Sequence, residues 1–334
     1  IKDGYIVVDY VYNDRKTFEN ELLEECRGLM FNAKTGELVS RGYHKFFNLG
    51  ERSDPIDWSK PYKILMKMDG SMVRAVPRVD GQLGFRLATR AGLTDVAAQA
   101  EAYLAGKASF VDELLWNGIT PIFEWCSRKN RVVVDYPEDR LILTGARFND
   151  TGKYLSYEAL VDTAEAIGPC VEVVQTIDVA KASPEQVKAW QGEEGIVVRF
   201  DDGHMVKIKS DWYSLLHKTR SQIASEASLI ELCIENRVDD LLPMLQKVDQ
   251  DNVAAFQSRF WKGVNRFSKT VLSLHDGSRA LHSNPKAYAV NFVQQQPERL
   301  RPFLYEVNRG RNLTGVILQY IKKHSTEASW IWET

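Results

Sequence analysis

The chain has 334 residues, 44% of them apolar and 10% aromatic, enough for a sizeable core in one large domain or two ordinary ones. Its formal net charge is −2, but the placement is uneven: from residue 251 onward 12 Lys and Arg face 6 Asp and Glu, a local +6 that leaves −8 for the rest. That asymmetry suits either a tail touching nucleic-acid phosphates or a solvated helical surface. The four cysteines, Cys26, Cys126, Cys170 and Cys233, show no Cys-x-x-Cys spacing, so neither a zinc site nor a disulfide framework is indicated, and a reducing cytoplasm is the expected setting. The sequence opens at Ile1 without a methionine; it holds no basic-then-apolar leader and no apolar run long enough for a bilayer, so no membrane attachment is expected.

In chain order, Tyr5 to Tyr12 is β-branched and aromatic and reads as a strand, followed by a polar loop at 13–16. Glu19 to Glu25 reads as a helical turn and Cys26 to Phe31 as a strand. The turn Lys34-Thr35-Gly36-Glu37 leads into 38–49. Arg27 and Lys45 are cations flanking strands expected to neighbour each other, either as routine surface charge or as part of a site. Next comes Ile64-Leu65-Met66-Lys67-Met68-Asp69-Gly70-Ser71-Met72-Val73-Arg74. An Asp-Gly pair between two apolar segments predicts a hairpin or tight turn that presents Lys67 at a strand end. A lysine so placed is either an ordinary solvated side chain or a nucleophile.

Leu83 to Thr89 alternates and breaks at Arg90-Ala91-Gly92; Asp95 to Leu104 has helical spacing, continued by Val111 to Leu115. In the strand Pro121 to Trp125, period two puts Glu124 on the face opposite Phe123 and Trp125. An acid in so apolar a strand needs a partner, whether a cation, a metal or a ligand hydroxyl. Leu141 to Leu143 reads as a strand, Tyr157 to Ile167 as a helix, and Ser183-Pro184 as the capped start of another helix ending near Gly192. Glu194 to Phe200, the turn Asp201 to His204, and Met205 to Lys209 form a second hairpin. Lys207 and Lys209 share one face, about 7 Å apart, which suits a polyphosphate or a lysine-blunted edge strand.

From Asp211 onward the texture is helical. Val253, Phe256, Phe260, Val264, Phe267, Val271 and Leu274 recur every three or four residues and read as core. Further helices are predicted from Ser283-Asn284-Pro285 and over Leu313 to Ile321. The expected architecture is α+β: an antiparallel-sheet domain over 1–220 and an all-helical domain over 221–334. There is no repeat, low-complexity tract or Walker-type phosphate loop.

Lys67-x-Asp69-Gly70, Phe123-Glu124, Glu194-Gly195 and Lys207-x-Lys209 follow one another in an order that resembles the covalent nucleotidyltransferases, the polynucleotide ligases and capping enzymes. More closely, Cys26-Arg27-Gly28-Leu29-Met30-Phe31, Lys45-Phe46-Phe47-Asn48-Leu49, Lys67-Met68-Asp69-Gly70-Ser71 and Lys207-Ile208-Lys209-Ser210-Asp211-Trp212-Tyr213 resemble the T-even phage RNA ligase 1 family. The resemblance runs from about residue 20 to 220 and more weakly into the helical tail. DNA ligases and capping enzymes usually append an oligonucleotide-binding barrel; a helical tail favours the RNA ligase 1 family.

The resemblance implies a nucleotidyltransferase-type first domain, a tail that selects RNA or tRNA, and ATP-dependent joining of RNA 3′-hydroxyl and 5′-phosphate ends through a Lys67–AMP intermediate, in RNA repair. It implies ATP and Mg²⁺ as cofactors, with Mn²⁺ as a substitute, and a monomer in the cytoplasm, the host's if phage-encoded. Asp69, Glu124 and Glu194 would hold a hydrated Mg²⁺, with Asp239 and Asp240 matching a further acidic pair, and Glu124 alternatively meeting the ribose. Lys209 would neutralise the α-phosphate, while Lys207, Arg27 and Lys45 steer the leaving phosphates. Arg90, standing where the family has lysine, and Tyr213 match positions near the triphosphate or RNA end. Leu65, Gly70, Phe47 and Val197 are candidates for the nucleotide site, with core packing the alternative for Phe47 and Val197. A lysine of pKa ~10.4 is about 0.1% neutral near pH 7.4, so the site is expected to depress the Lys67 pKa by about three units, through desolvation and the charge of Lys207, Lys209 and Mg²⁺. The other readings are DNA ligation, GTP-dependent capping-type chemistry, or a non-catalytic RNA-binding module.

Overall fold

The computed structural model describes residues 1–334 except 12–15, 19, 53–54, 105–108, 246, 283 and 334. Tyr12, most of the polar loop after it, Glu19 and Ser283 lie outside the described residues. The chain divides into two compact units, Ile1–Leu215 and Leu216–Thr334.

The first unit carries three sheets. One is antiparallel, with β2 (Arg27–Asn32) between β1 (Tyr5–Asp9) and β3 (Leu38–Ser40). A four-stranded sheet runs in the order β4 (Phe47–Asn48), β12 (Met205–Lys209), β11 (Gly195–Phe200), β5 (Tyr62–Lys67), antiparallel except for the β4 and β12 pair. A five-stranded sheet runs β10 (Val171–Val173), β9 (Arg140–Phe148), β8 (Ile119–Cys126), β6 (Ser71–Pro77), β7 (Phe85–Ala88), with only β10 parallel to its neighbour. Helices α1 (Glu21–Glu25), α2 (Asp95–Leu104), α3 (Ser109–Trp116), α4 (Tyr157–Ile167) and α5 (Pro184–Lys188) complete it. The Ala97, Ala100 and Leu104 stripe of α2 and Leu160, Ala164 and Ile167 of α4 pack with Val73, Leu87, Phe123, Trp125 and Leu143 of the five-stranded sheet. A smaller apolar seam of Leu65, Cys126, Ile142 and Val174 joins that sheet to β5.

The hairpin read at Lys207 forms as expected, β11 pairing antiparallel with β12. The hairpin read at Asp69-Gly70 does not. β5 pairs with β11, while β6 pairs with β7 and β8, so the two strands flanking Asp69-Gly70 belong to different sheets. Gly70 is the crossing point between those sheets: a Cβ there would stand 2.5 Å from the Trp125 carbonyl oxygen. Arg27 opens β2, which pairs with β3, whereas Lys45 lies on no strand, in the segment between β3 and β4, and β4 borders β12.

The second unit is helical: α7 (Glu226–Ile234), α8 (Val238–Leu241), α9 (Lys247–Arg279), α10 (Pro285–Asn291), α11 (Arg301–Asn308) and α12 (Leu313–His324), with α6 (Asp211–Ile223) spanning the boundary. The aromatic stripe of α9 is core, with Phe260, Val264 and Val271 fully buried among Phe303, Ile317 and Trp332. Among the described residues no helix is long and apolar enough to cross a membrane.

Candidate active site

Three strand registers assemble the centre of the site. Gly195 of β11 lies opposite Lys67 of β5 on one side and Lys209 of β12 on the other; two residues along, Val197 lies opposite Leu65 and Lys207. Alternation puts these six residues on one face, while Ile64, Ile196, Val198 and Ile208 point into a core on the other. Gly195 has φ +143, and a Cβ on it would stand 2.0 Å from the Ile208 carbonyl oxygen, so only glycine fits between the two lysines. Glu194, 3% exposed, places Oε1 2.9 Å from Lys67 Nζ and 3.0 Å from Lys209 Nζ. Lys209 Nζ also lies 4.9 Å over the Tyr213 ring.

This arrangement corrects the expected proton state of Lys67. Desolvation pushes its pKa down, but Glu194, Glu124 and Asp69 outweigh it and hold the pKa above the ordinary lysine value. The low value belongs to Lys207, which burial and the charges of Lys45, Lys67 and Lys209 push down to about 8.

The three acids do not share one task. Asp69, 3% exposed, accepts from the Val133 and Val134 amides at 2.7 and 2.6 Å through Oδ2 and from the Tyr213 hydroxyl at 2.7 Å through Oδ1. Through these bonds Asp69 anchors a loop and Tyr213. Tyr213 in turn is an Asp69 donor and a platform for Lys209. Glu124 is different: it lines the cavity beside Lys67 and makes no hydrogen bond or ion pair among the described residues. Burial first, and then the Glu194 and Asp69 charges against that of Lys67, push its pKa up to about 7. A partnerless carboxylate facing a cavity fits a hydrated Mg²⁺, an ion commonly held through one or two carboxylates plus substrate phosphates. Among the described residues no group of three His, Cys, Asp or Glu side chains is placed to hold a metal directly. Asp239 and Asp240 lie on the four-residue α8 in the second unit and belong to no such group.

A cavity of ≈ 260 Å³ opens beside this row, lined by Leu65, Lys67, Gly70, Glu124 and Val197 as expected, and by Arg27, whose Nη1 donates to Met72 Sδ at 3.8 Å. Phe47 is not part of it; Phe46 is. Lys45 and Phe47 line an adjoining cavity, which Phe46 lines too, with Lys45 Nζ 5.3 Å over the Phe47 ring and 4.9 Å over Phe18. Lys207 Nζ reaches the Phe46 carbonyl at 3.4 Å. Arg90 lies outside both linings: its Nε pairs with Asp9 at 3.1 Å and its guanidinium lies 4.6 Å over Tyr10.

Sequence reasoning missed the cavity's other end. There Arg199, 7% exposed, donates through Nη2 to the Leu155 carbonyl at 3.2 Å, and its buried Nη1 has no partner among the described residues. Beside it Tyr43 shares a hydrogen bond with Thr144 and has its pKa raised by burial. The signal for Arg199 was available, since it shares the strand parity of Gly195 and Val197.

An α+β unit with a cavity that carries Lys67 and Glu124 in a largely apolar lining, followed by a helical unit, is the class that this geometry defines. Residues 25–213 match the family model described as RNA ligase. A Thermovibrio ammonificans protein named as an RNA ligase is 32% identical over 257 residues, covering 72% of this chain and 66% of that protein. RNA ligase 1 of bacteriophage TS2126 is 29% identical, covering 73% and 64%. The chain thus spans just under two thirds of the length of these relatives. Among solved structures, an RNA ligase mutant of Naegleria gruberi with ATP and Mn aligns over 48% of this chain and 52% of that one, at 19% identity and a TM-score of 0.37. The chain belongs to the T4 RNA ligase 1-like family of RNA ligases.

Proposed function

We propose that the chain joins RNA 3′-hydroxyl and 5′-phosphate ends at the expense of ATP, through a lysine–AMP and then an RNA-adenylate. The observation that supports this best is the row in which Lys67 and Lys209 flank Gly195 and share Glu194, with Lys67 lining a cavity that also carries Glu124. Lys67 Nζ is the nucleophile toward the α-phosphorus of ATP, forming a P–N bond and breaking the bond to pyrophosphate. AMP then passes to the RNA 5′-phosphate, and the 3′-hydroxyl displaces it. Lys209, on the adjacent strand, meets the charge that develops on the same phosphate. Lys207, Lys45 and Arg27 are the cations for the departing pyrophosphate. Lys67 must first lose its proton to solvent, and the Glu194 carboxylate resists that loss for as long as its negative charge is not offset. A hydrated Mg²⁺, or Mn²⁺, would be held through Glu124 and supplies further charge neutralisation when bound.

In this reading residues 1–220 form the adenylyltransferase domain and 221–334 the RNA- or tRNA-specific one, acting as a cytoplasmic monomer in RNA repair. Incubation with ATP radiolabelled at the α-phosphate, with Mg²⁺, tests it. Wild type becomes covalently labelled and Lys67→Ala does not; equal labelling of the two, or none, sinks the reading. Label from GTP, or sealing of nicked DNA in preference to RNA, would redirect it to a capping-type or DNA-joining activity. RNA binding without pyrophosphate release would leave a binding module.

A further inference from the structure

The cations of the helical unit are not all alike. Lys247 is paired with Asp251 at 2.9 Å, and Arg309 and Arg311 are paired with Glu306 at 2.7 and 2.9 Å. Four others on α9, namely Arg259, Lys262, Arg266 and Lys269, are exposed and ion-paired with no carboxylate among the described residues. Their spacing of three, four and three residues sets them on one face of the helix, along about 15 Å at 1.5 Å per residue. No acid interrupts the sequence from Asn252 to His275, although Asp251 and Asp276 bound it on either side. The opposite face, Val253, Phe256, Phe260, Val264, Phe267 and Val271, is buried in the core, so the row is carried on a rigid element. Arg259 is further oriented by the Phe256 ring, 5.3 Å from its guanidinium. Like charges at helical neighbour spacing oppose one another, and nothing within the described protein offsets them.

We propose that this face of α9 is a phosphate track for the RNA backbone, a proposal that rests on the RNA-joining function above. At about 3.4 Å of duplex axis per phosphate of one strand, a 15 Å row of four cations spans roughly four or five phosphates, and it holds four of the 12 lysines and arginines found from residue 251 onward. A backbone track of this kind supplies affinity without sequence preference. An acidic peptide or an anionic membrane offers the same sign of charge, and the test separates them.

The test uses the full chain and a fluorescent RNA hairpin broken in its loop, with affinity followed by anisotropy across increasing salt. Changing the four residues together to glutamine lowers the slope of log affinity against log salt by about 3, at roughly 0.7–0.9 per phosphate contact, and weakens binding about tenfold or more. Each single change, such as Lys262→Gln, lowers it by about one contact's share and guards against misfolding of the quadruple variant. The charge-preserving exchange R259K, K262R, R266K and K269R keeps the slope, and the Arg309→Gln, Arg311→Gln control leaves it unchanged. Labelling of Lys67 from ATP is the same in every variant; absence of label in the wild type would fault the ligase reading rather than the track. The track is overturned by an unchanged slope in the quadruple variant, by an equal loss in the control pair, or by a loss confined to acidic peptides or anionic vesicles.

Discussion

The shared carboxylate oxygen of Glu194 fixes the proton state of Lys67, and Glu194→Gln isolates its effect. Glutamine keeps the shape and one hydrogen bond but removes the charge. At the observed 2.9 Å and an effective dielectric of about 20, the lost attraction is at most ~6 kcal/mol. Lys209 draws on the same oxygen at 3.0 Å and shares that attraction, so about half of it is lost to Lys67, and its pKa falls. Removing Glu194 also leaves Lys209 uncompensated beside Lys67, which pushes in the same direction. Acylation of the free protein by a small amine reagent, read by peptide mass across pH, follows the neutral fraction of Lys67, whose side chain is 21% exposed. The midpoint for Lys67 moves down in Glu194→Gln while that of Lys63, paired with Glu158 at 2.7 Å, stays put. A midpoint that stays or rises would refute the reasoning that carboxylates, rather than burial, dominate at Lys67.

Two other outcomes follow from the cavity. Lys207 titrates near 8 in the folded chain against its ordinary 10.5, so affinity for ATP and for pyrophosphate falls as pH rises through 8, and Lys207→Arg flattens that fall; a profile identical to wild type would count against a phosphate role. The sign for stability is opposite: below about 8 both states hold the proton, and between 8 and 10.5 only the unfolded chain does, so this group makes stability rise with pH across that window, as thermal melts of wild type against Lys207→Met can show. Arg199→Met removes the buried Nη1 donor, which has no partner among the described residues. Its KM for ATP in self-labelling should rise by about tenfold, the worth of one hydrogen bond from a charged group, with the saturated rate and melting temperature unchanged or higher. An unchanged KM would return Arg199 to a packing role.

How much of this was legible depends on the range of the interaction. The β11 and β12 hairpin was readable because its strands are neighbours in sequence and Asp202-Gly203 closes them, and alternation alone set Lys207 and Lys209 on one face. The same turn chemistry at Asp69-Gly70 misled, because a tight crossing between two sheets needs a small residue as much as a hairpin does, and the true partner of Lys67 is distant Gly195. Glu124 was readable from parity against Phe123 and Trp125, whereas Phe46, not Phe47, lines the cavity beside Lys67. Asp69 was not readable in this way. Its partners are the backbone amides of Val133 and Val134, groups every residue carries, so no side-chain pattern marks them. The proton state of Lys67 was least legible of all, because it is a balance of charges delivered by β5, β8 and β11 together. Counting only the lysines Lys207 and Lys209 predicts a depressed pKa; adding the acids that the fold brings to the same amine reverses the sign. Lowering the Lys67 pKa therefore falls to whatever offsets or withdraws the Glu194 carboxylate, which at 2.9 Å holds the lysine proton.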